Sequence, residues 1–522
     1  MRHTSLPLTL AGALALATIP GAPRAASPQA AVAAPPQGTT TAVPATARIP
    51  AHPRDLTFGP LAFEPPDAAK HRRVLANKVP AYLVEDHELP IVTVTVLLKA
   101  GSYVDPRGKE GLASAVGSQM RAGGAGKYTA EQFDEEADFL AANVFSSFGA
   151  TSGSATANFL AKDTDRALDL LFDLLRTPRF QQDRFDLYKT QILQGLERRN
   201  DTTAGIESRE FARLMYGADH FSTAQVTKAS IESITRDDLV AFHQKWFHPG
   251  NVIVAVAGDF DTRAMTAALE QRMAGWKAPS GFAVPPVPKP THVAVPGIYF
   301  VDKPDVNQGR VAIGLPGIQR GNPDEVAIEM MNDVLGGSGF TSRITNRVRS
   351  DEGLAYSAGS SFGVGVHYPG LFRAGFQSKS ATVAQAVQIV LDEMSRMRSE
   401  KVSAEELETV KNSAIEVFPR FFASASATAA LFATDELTGR DPKYWKTYRD
   451  RVRNVTPDDV QRVAQKYLQP DKVVVLVVGN AADMLKGNPD KPQFSFDALR
   501  RGAAITRIPL PDPVTMVYPK TQ

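Results

Sequence analysis

The stretch Thr235-Arg236-Asp237-Asp238-Leu239 returns near the end of the chain as Thr456-Pro457-Asp458-Asp459-Val460, at an offset of 221 positions. The same succession follows each copy. The first predicts a helix ending near Trp246, then Pro249-Gly250, a strand from Val252 to Ala257 and Gly258-Asp259. The second predicts a helix ending near Tyr467, then Pro470, a strand from Val473 to Val478 and Gly479-Asn480. A threonine just before a helix accepts a hydrogen bond from the first turn, and acids in that turn complement the helix dipole. A common helix–strand unit can match by chance, but a constant offset held across both units favours internal duplication. Between the copies, Pro279, Pro285, Pro286, Pro288, Pro290 and Pro296 crowd one segment, which reads as an extended, semi-rigid connector. The expected fold is α+β: two similar lobes, over 54–275 and 298–485, joined by a linker over 276–297 and followed by a tail over 486–522.

Within the first lobe, Ala81 to Asp86 and Ile91 to Lys99 read as strands. In the second of these Val92, Val94 and Val96 alternate with Ile91, Thr93 and Thr95, and the β-branched content favours strand over helix. Helices are expected from Glu110 to Met120, from Ala130 to Ala142 with Thr129 as N-cap, from Leu168 to Leu175 and from Phe185 to Arg199.

The chain opens with Arg2 and His3, an apolar run from Leu6 to Ile19, and small residues up to Ala25 and Ala26. This pattern is a secretory signal over 1–26, and the run is too short for an ordinary spanning helix. The alternative is an uncleaved anchor. An Ala/Pro/Thr-rich tether follows over 27–53, unable to form a packed core. The expectation is an exported protein, with a bacterial periplasm the compartment that fits and no membrane association after signal removal. The chain has no cysteine, which excludes disulfides, thiolate catalysis and thiolate metal sites. A formal net charge of +2 gives no reason to propose nucleic acid as a partner.

Several stretches resemble the pitrilysin/insulinase (M16) zinc metallopeptidases. Ala100-Gly101-Ser102 and Gly111-Leu112-Ala113 match the strand end and helix start that precede that family's metal motif. Ser342-Arg343 and Arg349-Ser-Asp-Glu-Gly-Leu-Ala-Tyr356 match its second-lobe signature. The resemblance covers roughly Leu75 to Asn480. It implies two lobes with mixed, largely antiparallel sheets packed with helices, the LuxS/MPP-like metallohydrolase type of fold.

In active members of that family a His-x-x-Glu-His motif follows. Two imidazoles four residues apart lie on one helical face and bind zinc, and the glutamate acts as general base. Here the motif positions hold Ser114, Gly117 and Ser118, and the third-ligand position falls on Gly195. Glu197 is two residues further on, about 200° around the helix, and is a poor substitute. No catalytic site and no metal site of this type is expected in the chain. Histidine offers no replacement pair, since His243 and His248 are five apart and His87 has no neighbouring ligand in sequence. No Gly-x-Ser-x-Gly elbow is present either.

Arg349 and Tyr356 remain. The resemblance implies that they approach bound peptide, the tyrosine hydroxyl toward a carbonyl that gains negative charge and the arginine toward the main chain. The bland alternative is a salt-bridged helix arginine and a packed tyrosine entering a strand. Gly336, Gly337 and Gly339 lie just before. The resemblance makes them a flexible substrate-contacting loop; a helix C-cap followed by a turn is the alternative. Members of this family often work as pairs. The resemblance therefore implies a non-catalytic subunit that joins a zinc-motif homologue as a heterodimer or larger assembly, with zinc in the partner, and completes its active site on a peptide. A non-proteolytic binding or structural module of the same fold is the runner-up. An autonomous metalloendopeptidase fits least.

Overall fold

In the computed structural model, which describes residues 56, 59, 61–500, 502 and 504–520, the repeated motif is duplicated atom by atom. Thr235 Oγ1 accepts from the Asp238 amide at 3.2 Å and donates to the Asp238 carboxylate at 2.8 Å, opening the helix Arg236–Trp246. Thr456 Oγ1 accepts from the Asp459 amide at 3.1 Å and donates to its carboxylate at 2.6 Å, opening the helix Pro457–Tyr467. Each capping box satisfies donors that a helix N-terminus would otherwise leave unpaired. The residues expected to form the signal and the tether lie outside the described residues.

The first lobe contains β1 (Arg72–Val74), β2 (Pro80–Glu85), β3 (Ile91–Leu98), β4 (Asn143–Phe148), β5 (Gly153–Leu160) and β6 (Val252–Gly258), in the sheet order β1-β2-β6-β3-β5-β4. The second contains β7 (Gly297–Asp302), β8 (Gln308–Pro316), β10 (Ala355–Phe362), β12 (Leu371–Lys379), β13 (Val474–Gly479) and β14 (Thr506–Arg507), in the order β14-β7-β13-β8-β12-β10. Two short strands, β9 (Ile318–Gln319) and β11 (Val364–Gly365), pair with each other. The two sheets share one plan. β2 with β6 and β7 with β13 are parallel, while the ladders from there to the edges β4 and β10 are antiparallel. Only the far edges differ: β1 runs antiparallel to β2, and β14 runs parallel to β7.

The alternation expected in β3 is present. Val92, Val94, Val96 and Leu98 are buried against the helices Leu112–Ala122, Thr164–Arg176 and Arg236–Trp246. The helix Ala130–Phe139 stops short of Ala142, because Ala141 takes a φ of 47° and turns the chain into β4. The helix Gln182–Glu197 carries the third-ligand position.

The central strands β6 and β13 are buried on both faces, and an exchange of helices explains why. Helix Thr203–Tyr216 leaves the first lobe and lays Ile206, Phe211 and Met215 on Val301, Ala312, Val474 and Leu476 of the second sheet. Helix Ala425–Thr438 leaves the second lobe and lays Ala429, Phe432 and Ala433 on Tyr82, Ile253 and Ala255 of the first. Each lobe thus covers the other's outer face. The polar contacts follow suit: Glu436 accepts from Arg72 at 2.8 Å and from the Tyr82 hydroxyl at 2.6 Å.

From Phe282 to Pro296 the linker has no helix or strand. The His220 and His292 rings pin it, through contacts of 3.1 Å to the Pro288 carbonyl and 3.0 Å to the Leu214 carbonyl. The tail returns across both lobes. Asn200 donates to the Pro511 carbonyl at 2.8 Å, Lys228 N to the Val514 carbonyl at 3.0 Å, and Tyr518 to Glu210 at 2.9 Å. Among the described residues no helix is long and apolar enough to cross a membrane.

Candidate functional site

The helix Leu112–Ala122 is set by its N-terminus. Gly111 sits at φ 103°, and the Asp105 carboxylate accepts from the Gly111 and Ala113 amides at 3.0 and 2.8 Å. Burial pushes that carboxyl up to about 6, against the pull of those amides. One turn on, Ser114 is exposed, Gly117 is buried and Ser118 is half-buried. Ser114 and Ser118 share a face, as the two histidines of a zinc helix would.

Gly117 is more than a missing base. Ser146 of β4 donates to its carbonyl at 2.6 Å, and a Cβ at 117 would come within 3.0 Å of Ser147 Cα and the Phe148 amide nitrogen. The sheet edge therefore packs against the backbone where a glutamate would stand. Gly195 is the opposite case: it is exposed and nothing lies within 4 Å of its would-be Cβ.

These side chains do not fit a zinc ion. Two neutral hydroxyls and two glycines supply no imidazole and no carboxylate. Among the described residues there is no group of three or more His, Asp or Glu side chains that could hold a metal. The histidines considered from sequence are engaged elsewhere. His243 is buried, 2.9 Å from the Leu175 carbonyl, and burial lowers it to about 4. His87 meets Asp259 at 2.6 Å, and His248 packs on the Phe282 ring. Glu197 is exposed.

Ser114 opens onto a cavity of about 1220 Å³. Asp105, Tyr216, His220, Lys289 of the linker and Met516 of the tail also line it. His220 is the hub of an aromatic group, 4.9 Å from Tyr368 and 4.5 Å from Phe221. Sequence reasoning missed all of these. The one available signal was Gly217, whose φ of 86° ends a helix just before His220.

The second lobe gathers a different set. Arg349 stacks on two rings, 4.5 Å from the Phe340 centroid and 4.6 Å from the Tyr356 centroid. It makes no hydrogen bond or ion pair with the described residues. Tyr356 is 85% exposed and Phe340 63% exposed. Neither the salt bridge nor the packed tyrosine of the bland alternative is present. Tyr356 sits in β10 where the register jumps from Ala355 to Ala358, so Tyr356 and Ser357 have no cross-strand partner on β12.

The glycine segment corrects the expectation of a flexible loop. Gly336 and Gly337 belong to a wide helical turn, Asp333–Gly337, pressed into the fold. A Cβ at Gly336 would be 2.4 Å from Ser360 Oγ, and one at Gly337 would be 2.4 Å from Asp333 Oδ1. Only Gly339, at φ 60° with open space around it, forms a turn, and it carries Phe340 onto Arg349. The structure thus brings Gly339 to Arg349 and Tyr356. It does not bring Arg349 or Tyr356 into the wall of the cavity at Ser114.

Residues 81–220 match the family profile described as Insulinase (Peptidase family M16), and residues 233–414 match the one described as Peptidase M16 inactive domain. Together they span more than half of the chain, in the order in which the two lobes occur.

The chain belongs to the M16 peptidase family.

Its M16 relatives divide on the chemistry in question. An uncharacterized zinc protease of Streptomyces coelicolor is 26% identical over 60% of this chain and 68% of its own length. The non-peptidase homolog YmxG of Helicobacter pylori is 25% identical over 66% of this chain and 78% of its own. Among solved structures, an M16 inactive domain from Pseudomonas fluorescens aligns with a TM-score of 0.70 and 23% identity, over 78% of this chain and 97% of that one. The present chain is an M16 homologue of the inactive type.

Proposed function

We propose that this M16 homologue is a non-catalytic, peptide-holding subunit that works beside a zinc-bearing homologue and presents Arg349 and Tyr356 to the peptide. One observation carries the reading. The zinc helix is closed by its own packing at Gly117, while Tyr356 stands 85% exposed with Arg349 stacked on it. Two exposed aromatic rings gathered on one arginine have the composition in which binding surfaces are enriched. The hydroxyl of Tyr356 donates to a peptide carbonyl, and Arg349 offers guanidinium N–H groups to the main chain. We further propose export through the N-terminal signal, which would put the pair outside the cytoplasm.

The test is co-expression of the full chain with a zinc-motif homologue from the same source. Co-elution and cleavage of a peptide by the pair, with none by this chain alone, support the proposal. Stoichiometric zinc in this chain purified alone would refute it. The relation to YmxG supports a second reading, a binding module with no proteolytic partner. Peptide binding without co-elution would favour it.

A further inference from the structure

Beside Tyr356 the second sheet carries a groove of about 500 Å³, within the roughly 300–1,000 Å³ of ordinary ligand sites. Arg310 of β8 and Arg373 and Lys379 of β12 line it, and no carboxylate does. On β12 the side chains at Arg373, Gly375, Gln377 and Lys379 fall on one face, since strand side chains alternate. Gln377 lies opposite Arg310 in the register. The cations therefore form a row along one sheet face, about 20 Å from residue 373 to residue 379 at the usual strand rise.

The two arginines are built into position. Glu207, buried on the exchanged helix of the first lobe, accepts from Arg310 Nε at 3.0 Å and from Arg373 Nε and Nη2 at 3.2 and 2.7 Å. One carboxylate thus orients two guanidinium groups that are still 31% and 35% exposed. Both Nη groups of Arg310 and Nη1 of Arg373 make no hydrogen bond with the described residues. Gly375 leaves room for this arrangement, because a Cβ there would be 3.0 Å from Arg373 Nη1. Lys379 is exposed and has no acidic partner among the described residues. The acids nearest in sequence to Tyr356 are engaged elsewhere, Asp351 with Arg347 and Glu352 with Lys491.

One carboxylate against three cations leaves the groove net positive, with N–H groups of both arginines open to solvent. We infer that the groove takes an acidic peptide, laid extended beside Tyr356 with side-chain carboxylates on Arg310, Arg373 and Lys379. An extended chain presents alternate side chains to one face, which matches the row, and charge-assisted bonds give it selectivity. This rests on the peptide-holding reading of Tyr356 and adds the class of peptide.

Fluorescence anisotropy on the full chain, with a labelled short peptide alternating Glu and Ala and with its Gln and Lys counterparts, tests the inference. The Glu peptide is expected to bind at least about tenfold tighter than the Gln peptide at about 50 mM salt. The difference should shrink to within about threefold at 500 mM, as exposed charges are screened. Lys379→Gln and the charge-balanced double change Glu207→Gln/Arg310→Gln should each narrow the gap between the Glu and Gln peptides. Equal affinity for all three peptides, weakened by Tyr356→Ala, overturns this inference and leaves the reading of Tyr356 intact. Binding of no peptide overturns both. Tighter binding of a single-stranded oligonucleotide than of the Glu peptide also overturns it.

Discussion

The guanidinium of Arg349 stands 4.6 Å from the centre of the Tyr356 ring and 4.5 Å from that of Phe340. Three side chains from a helical turn, a glycine turn and a bulged edge strand meet at one exposed point. Contacts of this kind contribute about 0.5–1 kcal/mol each at exposed sites, enough to fix a rotamer and too little to hold the fold. Tyr356→Ala and Arg349→Ala should therefore leave the melting temperature within about 2 °C of wild type while weakening peptide binding about tenfold. A thermal melt alongside an anisotropy titration separates the two effects.

Two glycines, Gly117 and Gly195, should respond oppositely to one methyl group. Gly195→Ala meets open space in an exposed helix and should stabilise by about 0.5–1 kcal/mol. Gly117→Ala meets the β4 backbone at 3.0 Å and should destabilise by about 1–2 kcal/mol despite the better helix propensity. Urea denaturation of both variants gives the signs directly.

The exchanged helices make the lobes interdependent. Phe432→Ala, at the face of the first sheet, should cost about 3–5 kcal/mol and lower a single melting transition rather than split it. Residues 54–275 expressed alone should fail to fold stably, because Tyr82, Ile253 and Ala255 would lose their cover. Calorimetry of the variant and solubility of the fragment check this.

Asp333 begins the packed glycine turn, where burial, aided by nearby Glu329, pushes its carboxyl from 3.8 up to about 7. The folded chain therefore holds a proton that the unfolded chain releases between about pH 4 and 7, so this group's contribution to stability grows as pH falls through that window. Asp333→Asn is neutral throughout. It should be more stable than wild type above pH 7, by about 1–2 kcal/mol once partial exposure is allowed for, and lose that advantage toward pH 4. Melting curves of both proteins at pH 5 and 8 test the sign.

The duplication was legible because caps are local: Thr235 and Thr456 announce themselves within four residues. The helix that carries Ser114, Gly117 and Ser118 was legible for the same reason, since its Gly111 start and apolar spacing are read along one stretch. The helix exchange was not, although Thr202 and Gly217 bracket one helix as Ser424 and Gly439 bracket the other, at an offset of 222. That repeat predicts two alike helices, but which sheet each one covers depends on how the lobes dock. The packing of Gly336 was hidden too, because its neighbour Ser360 on β10 comes from tertiary contact. Tyr216 with His220, Lys289 and Met516 reach one cavity from three distant stretches of chain, and no spacing rule links them.

The most direct test of a chain that holds peptide without cutting it is the cleavage rate of the reconstituted pair under single-turnover conditions, with wild-type chain and with Tyr356→Ala. The account predicts no cleavage by this chain alone, cleavage by the wild-type pair, and a rate at least about tenfold lower for the variant pair. Cleavage by this chain alone, or an unchanged rate with Tyr356→Ala, would contradict it.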